Sequence, residues 1–468
     1  MKKLLVLTIA AFLVMVVGSA FAAETTLSGT YEVKAWTEWN FDKKYDNLDD
    51  AQYDGWFQQQ FTLTLTHTRS EFLKAVVKLD LVEDTWGMGR AMWINNRDNG
   101  EYIKQAYLDF TIPSIGHFRV GKFPIFWGQG LTFSTGSTGL EGIEYSNAWG
   151  MVALTALYAK AEDNIAEGPG VDYNRDLDLY ALNLAITPAE NHLIELFGGY
   201  ANAPAYGAVS YVSTFDAAGD LVLVEWPDVD ANLWFVGLAY TGNFADMIDV
   251  KAEFSYLFGD YKMNGTTLDG DIEGFNAYAD VSYYNDLLRV GLAFLYRSAL
   301  DLDEFPEEWN QTNLIDQGFA WANVIGNDAG GLNSVYGNAG YVFDGPEENI
   351  ISAKLYFSIC PVEKLTINAA VVWAKFVEDV GFGGMYWHPA DLYGNHAIGY
   401  GWGDDDDLGW EIDLGFSYAI MEGLTYTFAG GVLFTGDAFD YDSNGAVAGG
   451  REDWGEIWSL SNSLLYEF

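Results

Sequence analysis

The sequence predicts an all-β protein, a transmembrane antiparallel up-and-down β-barrel of about eighteen strands with short periplasmic turns and long extracellular loops. Three observations carry that expectation: hydrophobicity that alternates residue by residue along many segments, connections that alternate between short and long, and a final alternating segment that ends on Phe468. Sixteen is the alternative count, because 116–125 and 140–147 carry the weakest pattern.

The first 22 residues stand apart. Lys2 and Lys3 precede an apolar run from Leu4 to Val17, too short to span a bilayer, and Ala20-Phe21-Ala22 offers a small-residue cleavage site. Residues 1–22 therefore read as a secretory signal peptide, and 23–468 as one barrel domain bound for the cell outer membrane. Cys360, the sole cysteine, is far from the cleavage site, so neither an N-terminal lipid anchor nor a disulfide framework is available. No later window approaches twenty uninterrupted apolar residues, which excludes a helical membrane protein.

Strands are read near 25–41, 56–68, 71–84, 101–112, 116–125, 140–147, 150–163, 176–187, 191–202, 231–242, 247–261, 271–284, 286–298, 349–359, 363–377, 409–420, 423–436 and 456–468. In 71–84, Leu73, Ala75, Val77, Leu79 and Leu81 fall on one face and Lys74, Lys78 and Asp80 on the other. The same alternation sets Ile351, Ala353, Leu355 and Phe357 opposite Ser352, Lys354, Tyr356 and Ser358, and Trp410, Ile412 and Leu414 opposite Glu411 and Asp413. The links after the second, fourth and sixth strands, and so on to Met421-Glu422-Gly423, are tight turns. Those between them are longer, at 42–55, 85–100, 126–139, 164–175, 203–230, 262–270, 299–348, 378–408 and 437–455. A secreted β-sandwich is the competing architecture, but strict short-long alternation belongs to a membrane barrel with both ends in the periplasm. Trp458, Leu460, Leu464, Tyr466 and Phe468 then close the chain on an aromatic, alternating strand.

Composition agrees. Aromatics make up 16% of the chain, Gly reaches 51 and Pro only 10, which suits long strands with interfacial aromatic girdles. The formal net charge of -44 excludes nucleic acid as a partner, since a phosphate backbone requires positive charge opposite it. The expected partners are outer-membrane lipid and lipopolysaccharide, with small polar solutes inside; monomer and trimer both remain open.

With apolar faces turned to lipid, the polar faces line a water-filled interior. Parity assigns Lys34, Lys74, Lys78, Asp109, Arg119, Lys251, Glu253, Arg289, Arg297, Lys354, Glu411 and Asp413 to that lining, with Glu32, Asp80, Gln105, Tyr107 and Glu195 beside them. Two readings fit these charges: a basic ladder whose transverse field orients solutes, or cross-strand ion pairs that only make the wall wettable.

The stretch QAYLDFTIPSIGHFRVGKFPIFWGQGL, from Gln105, followed by GLEGIEY ending at Tyr145, resembles the early hairpin and following loop of outer-membrane porins of the alginate-export group. It carries a Gly-basic pair, Gly121-Lys122, and a Trp-Gly step, Trp127-Gly128. Lys122 stands where such proteins often have Arg. The resemblance covers this hairpin and the general layout. The layout as a whole predicts a channel for passive diffusion of small polar or anionic solutes, saccharides among them, and the resemblance implies a pore for anionic polysaccharide or related small molecules, lined by basic residues. Loop 126–139, rich in Gly, Thr and Ser, is expected to fold inward as a constriction.

Two acidic stretches raise a metal question. Asp440, Asp442 and Asn444 open like an EF-hand loop, a pattern for low-affinity Ca2+, but Arg451 stands at the twelfth position; the other stretch is Asp404 to Asp407. Solvated acid is the competing account of both, and no cofactor is required. No G-x-S-x-G elbow or H-E-x-x-H pair is present, and His67, His117, His192, His388 and His396 form no catalytic pattern, so no enzyme is expected. The alternative to a channel is a surface-binding or structural barrel closed by its loops, with Trp309, Trp321, Trp387 and Trp402 as exposed sugar-stacking rings; the competing account of these rings is that they pack the loops on each other.

Overall fold

The computed structural model describes residues 24–39, 53–86, 103–136, 139–162, 177–206, 211–215, 221–225, 229–263, 269–298, 308–310, 315–316, 321–322, 350–377, 406–437, 441–442, 451–452 and 455–468. The signal segment 1–22, His388, His396, Trp387 and Trp402 lie outside them, as do Asp440 and Asn444.

Among the described residues, eighteen strands close into one antiparallel barrel. They are β1 (Glu24–Trp39), β2 (Tyr53–Ser70), β3 (Leu73–Thr85), β4 (Ile103–Ile112), β5 (Gly116–Phe123), β6 (Leu140–Trp149), β7 (Val152–Glu162), β8 (Leu177–Ala189) and β9 (His192–Tyr206). They continue as β10 (Val229–Phe244), β11 (Ile248–Met263), β12 (Asp269–Tyr284), β13 (Leu288–Arg297), β14 (Ile350–Val362), β15 (Leu365–Lys375), β16 (Asp407–Met421), β17 (Leu424–Thr435) and β18 (Glu456–Glu467). Each pairs with the next, and β1 pairs with β18 from Thr30↔Glu467 to Trp39↔Trp458. The seam is sealed at the chain end, where Gly29 and Phe468 exchange both backbone hydrogen bonds (3.0 and 3.1 Å). A side chain at Gly29 would strike the Phe468 ring, so the close approach depends on glycine.

The alternation seen in the sequence sorts side chains between two surfaces. Leu238, Phe254, Leu292, Leu355 and Leu414 stand exposed on the outer wall, while Ala239, Glu253, Ala293 and Asp413, one step along the same strands, are buried inside. That outer surface can face hydrocarbon because closure leaves the sheet no unpaired edge. Aromatic rings mark its upper rim: Trp373 is in register with Trp410, Trp410 with Phe434, and Trp39 with Trp458. The short turns use the conformations that tight hairpins demand; Ala245 and Asp246 both take positive φ (53° and 54°), as in a type I′ turn.

The interior departs from the expected polar lining in two sectors, one of them on β13 to β18, where Leu295, Ile350, Val372, Leu433 and Ile457 are buried together. On β7 to β11 the inward residues Leu157, Ala159, Leu179, Phe197, Phe235 and Leu257 are apolar and buried, although Tyr180, Leu182, Val236 and Leu238 face outward from the same sector. Both faces are apolar there because a folded-in segment covers the inner one, so these positions are shielded from lumen water. A Leu238→Arg substitution on the outer face is expected to cost about 2–4 kcal/mol of folding stability, and Asn368→Arg on the inner face about 1 kcal/mol or less. Urea-driven unfolding from lipid vesicles would check both.

Candidate functional site

The covering segment is residues 124–136, between β5 and β6, and it lies inside the barrel. Its sequence supplies two kinds of anchor. Ile125, Trp127 and Phe133 are apolar and pack on the inner wall, with Trp127 and Phe133 ring centroids 4.8 Å apart and Phe133 stacked on Phe235 at 5.7 Å. Between them, Gln129 and Thr132 meet polar side chains on the far strands. The Glu253 carboxylate, only 2% exposed, accepts from the Gln129 backbone N–H and from the Thr132 hydroxyl (3.3 Å). Thr132 also bonds the Ser255 hydroxyl, and the Asn276 amide donates to Thr132 and Ser255 (3.3 and 3.2 Å). The fully buried Arg297 donates to the Leu131 carbonyl (3.3 Å), and Gln129 donates to Thr241 (2.9 Å). The backbone folds tightly at Gly128 (φ 63°), where a Cβ would lie 2.5 Å from Glu253 Oε2. Four strands, β10 to β13, thus hold one loop by groups that would be costly to bury unpaired.

A second insertion comes from the connection between β13 and β14. Trp321 is 3% exposed, its indole N–H donating to Ser352 Oγ (2.8 Å), and Lys354 Nζ donates to the Trp321 carbonyl while sitting 4.6 Å from the ring centroid. Of the two readings of Trp321, an exposed sugar-stacking ring and a packing residue, its contacts match packing: the indole is consumed by the wall inside the barrel. The side chain of Trp309 lies outside the described residues, as do Trp387 and Trp402.

The charges assigned by parity fall into two groups. Near β1 to β6 the cations stand beside carboxylates: Lys34 with Glu32 (3.5 Å), Lys74 with Asp109 (3.1 Å), and Arg119 in a two-pronged bond to Glu144 (2.8 and 2.5 Å). His117 shares the Asp109 carboxylate (2.9 Å), and Lys78 stands on the same face of β3 as Lys74. Near β11 to β16, Arg289 pairs with Asp249, while Glu253, Arg297, Glu411 and Asp413 are buried and Lys354 lies against Trp321. Lys251 and Asp249 line a separate hollow of about 380 Å³ at the turn end of β10 and β11. The geometry of these ion pairs favours local compensation over an uncompensated basic ladder.

Parity missed several inward groups. Lys104 reaches Asp80 (3.2 Å) because the β3–β4 register slips between Lys78↔Gln105 and Leu79↔Ile103, and a bulge reverses the alternation locally. Glu144 and Asp280 lie in regular strands and were legible by the same counting that found Arg119. Lys122, by contrast, shares the outward face of β5 with Phe118 and Val120, away from the lumen. Of the EF-hand-like residues, the Asp442 backbone pairs with Arg451 in a short hairpin, and its side chain, like Asp440 and Asn444, lies outside the described residues. Among the described residues, no group of three or more His, Cys, Asp or Glu is placed to hold a metal ion. The described end of the acidic stretch is occupied locally: Asp406 pairs with Lys375, and Asp407 accepts from the Gly409 N–H (3.0 Å).

One larger hollow remains along the inner wall. A cavity of about 540 Å³ is bounded by Tyr278, Asp280, Lys354, Tyr356 and Asp413, with Trp321 on one side.

No protein-family model and no curated protein matches the chain. Among solved structures it is similar to Pseudomonas aeruginosa OccK5 (OpdH), at 13% identity over 95% of this chain and 98% of that one, with a TM-score of 0.49. It is also similar to OpdL of the same organism, at 11% identity over 96% and 99% of the two chains with a TM-score of 0.48. A third likeness is to OmpT, an outer membrane protein of Vibrio cholerae, at 11% identity over 96% and 99% with a TM-score of 0.43.

Proposed function

We propose that this chain is an outer-membrane porin, through which small polar or anionic solutes, saccharides among them, diffuse passively. The observation that carries the reading is a closed barrel, apolar outside, in which one loop is bonded across the interior and narrows the lumen. The resemblance of the Gln105 to Tyr145 stretch to alginate-export porins supports saccharide as the class of cargo. Removal of residues 1–22 would leave the barrel with its long loops among lipopolysaccharide. Passage rather than catalysis suits the described histidines, which are bonded to wall groups: His67 to Thr25, His117 to Asp109 and His192 to Tyr240.

The purified mature protein, placed in a planar bilayer under a salt gradient, should give stepwise conductance, and the sign of the reversal potential reports whether anions or cations pass more readily. Silence at every voltage would defeat the channel reading. Glu253→Ala removes the acceptor for the Gln129 N–H and should raise both mean conductance and current noise as the loop loosens; leaving a buried donor unpaired costs about 1–3 kcal/mol, enough to populate displaced loop positions. Unchanged single-channel records for that variant would show that the loop does not set the conductance.

A further inference from the structure

Small side chains cluster on the inner wall from β13 to β17. Ala370 is in register with Asp413 on β16, Gly415 is in register with Ala429 on β17, and Ala293 faces inward from β13. The room they leave is the cavity of about 540 Å³, closed on one side by Trp321. That volume falls within the roughly 300–1,000 Å³ typical of small-molecule sites.

The charges around this recess narrow what it can hold. Asp280 accepts from the hydroxyls of Tyr356 (2.8 Å) and Tyr278 (3.3 Å), which fix its carboxylate at the edge of the cavity. Asp413 lies on the facing side, and buried Glu411 precedes it on β16. Lys354 is the one cation among the described lining residues, and its ammonium is already committed to the Trp321 carbonyl and ring. An anion would meet two carboxylates with no free cation opposite it among the described lining residues. A cation would add a second positive charge beside Lys354, whose ammonium already stands among these carboxylates. An uncharged polyol incurs neither cost: its hydroxyls donate to the remaining lone pairs of the carboxylates and exchange bonds with Ser358, Asn368 and Thr427, which also line the recess. The alanine floor and the tyrosine rings accept the C–H face of a sugar ring.

We propose that this recess is a binding station inside the lumen for an uncharged polyhydroxylated solute of one or two sugar rings. The proposal rests on the channel reading above and names the solute that channel holds. Three probes of one size, glucose, glucuronate and glucosamine, separate the charge classes. In planar bilayers carrying the full mature protein, glucose should interrupt the current at about tenfold lower concentration than either charged sugar. Ala370→Phe, which fills the recess, should weaken the glucose block about tenfold, its own conductance steps reporting that the barrel has assembled. Asp280→Asn should weaken the same block while leaving the cavity volume intact. Equal or tighter block by glucuronate or glucosamine, or a glucose block unchanged in both variants, would overturn the proposal. Were the unmodified protein to give no conductance steps, the channel reading would fall. Equilibrium dialysis of the detergent-solubilised protein and its Ala370→Phe variant against labelled glucose would then decide the recess alone: binding lost in the variant supports the station, and no binding to either refutes it.

Discussion

Everything in this molecule depends on the sheet meeting itself. In hydrocarbon there is no water to bond an exposed N–H or C=O, so a strand edge left open between β1 and β18 would be prohibitive. The ten-residue register from Thr30↔Glu467 to Trp39↔Trp458 removes that edge. Once the sheet is closed, period-two alternation is forced to mean outside and inside, and each apolar residue on the outer wall, from Leu238 to Leu414, follows from that geometry.

Closure creates a second problem, because a barrel of eighteen strands is too wide for its own wall side chains to fill. The chain solves it unevenly. In the sector from β7 to β11 the inner wall is apolar and is covered by Ile125, Trp127 and Phe133, so part of the interior is packed like a soluble core. In the sector from β12 to β18 a second apolar cluster, with Leu295, Ile350, Val372, Leu433 and Ile457, packs around Trp321, and beside it small and polar groups leave space. The Glu253 cluster lies between the two, where the inserted loop adds hydrogen bonds to the apolar contacts it makes on either side.

The strands were legible because lipid and lumen impose opposite demands on alternate residues, and the hairpin rhythm showed in connection lengths alone. The inward position of Arg119 and Asp413 followed from the same counting. Lys104 did not, since a bulge of one residue inverts parity and leaves no mark in composition. The run Leu233-Trp234-Phe235-Val236 is apolar on both faces, which signals that something covers the inner one, but not what. The glycine-rich and threonine-rich character of 126–139 pointed to an inward fold, whereas its partners Glu253, Asn276 and Arg297 lie more than a hundred residues away, beyond the reach of local pattern. Trp321 stayed between two readings for a related reason: a tryptophan in a long connection can be a surface ring or a packing residue until the wall that receives it is known.

The inserted loop has a mechanical consequence as well. A wide cylindrical sheet is stiff along its strands but soft to flattening, since its hydrogen-bonded ribs can hinge against one another. Rooted between β5 and β6 and bonded to Thr241, Glu253, Asn276 and Arg297 on β10 to β13, the loop acts as a strut across the cylinder. Lateral pressure from the bilayer that would press the wall oval must stretch or shear that strut, so the cross-section of the barrel is set from within as well as by its rim.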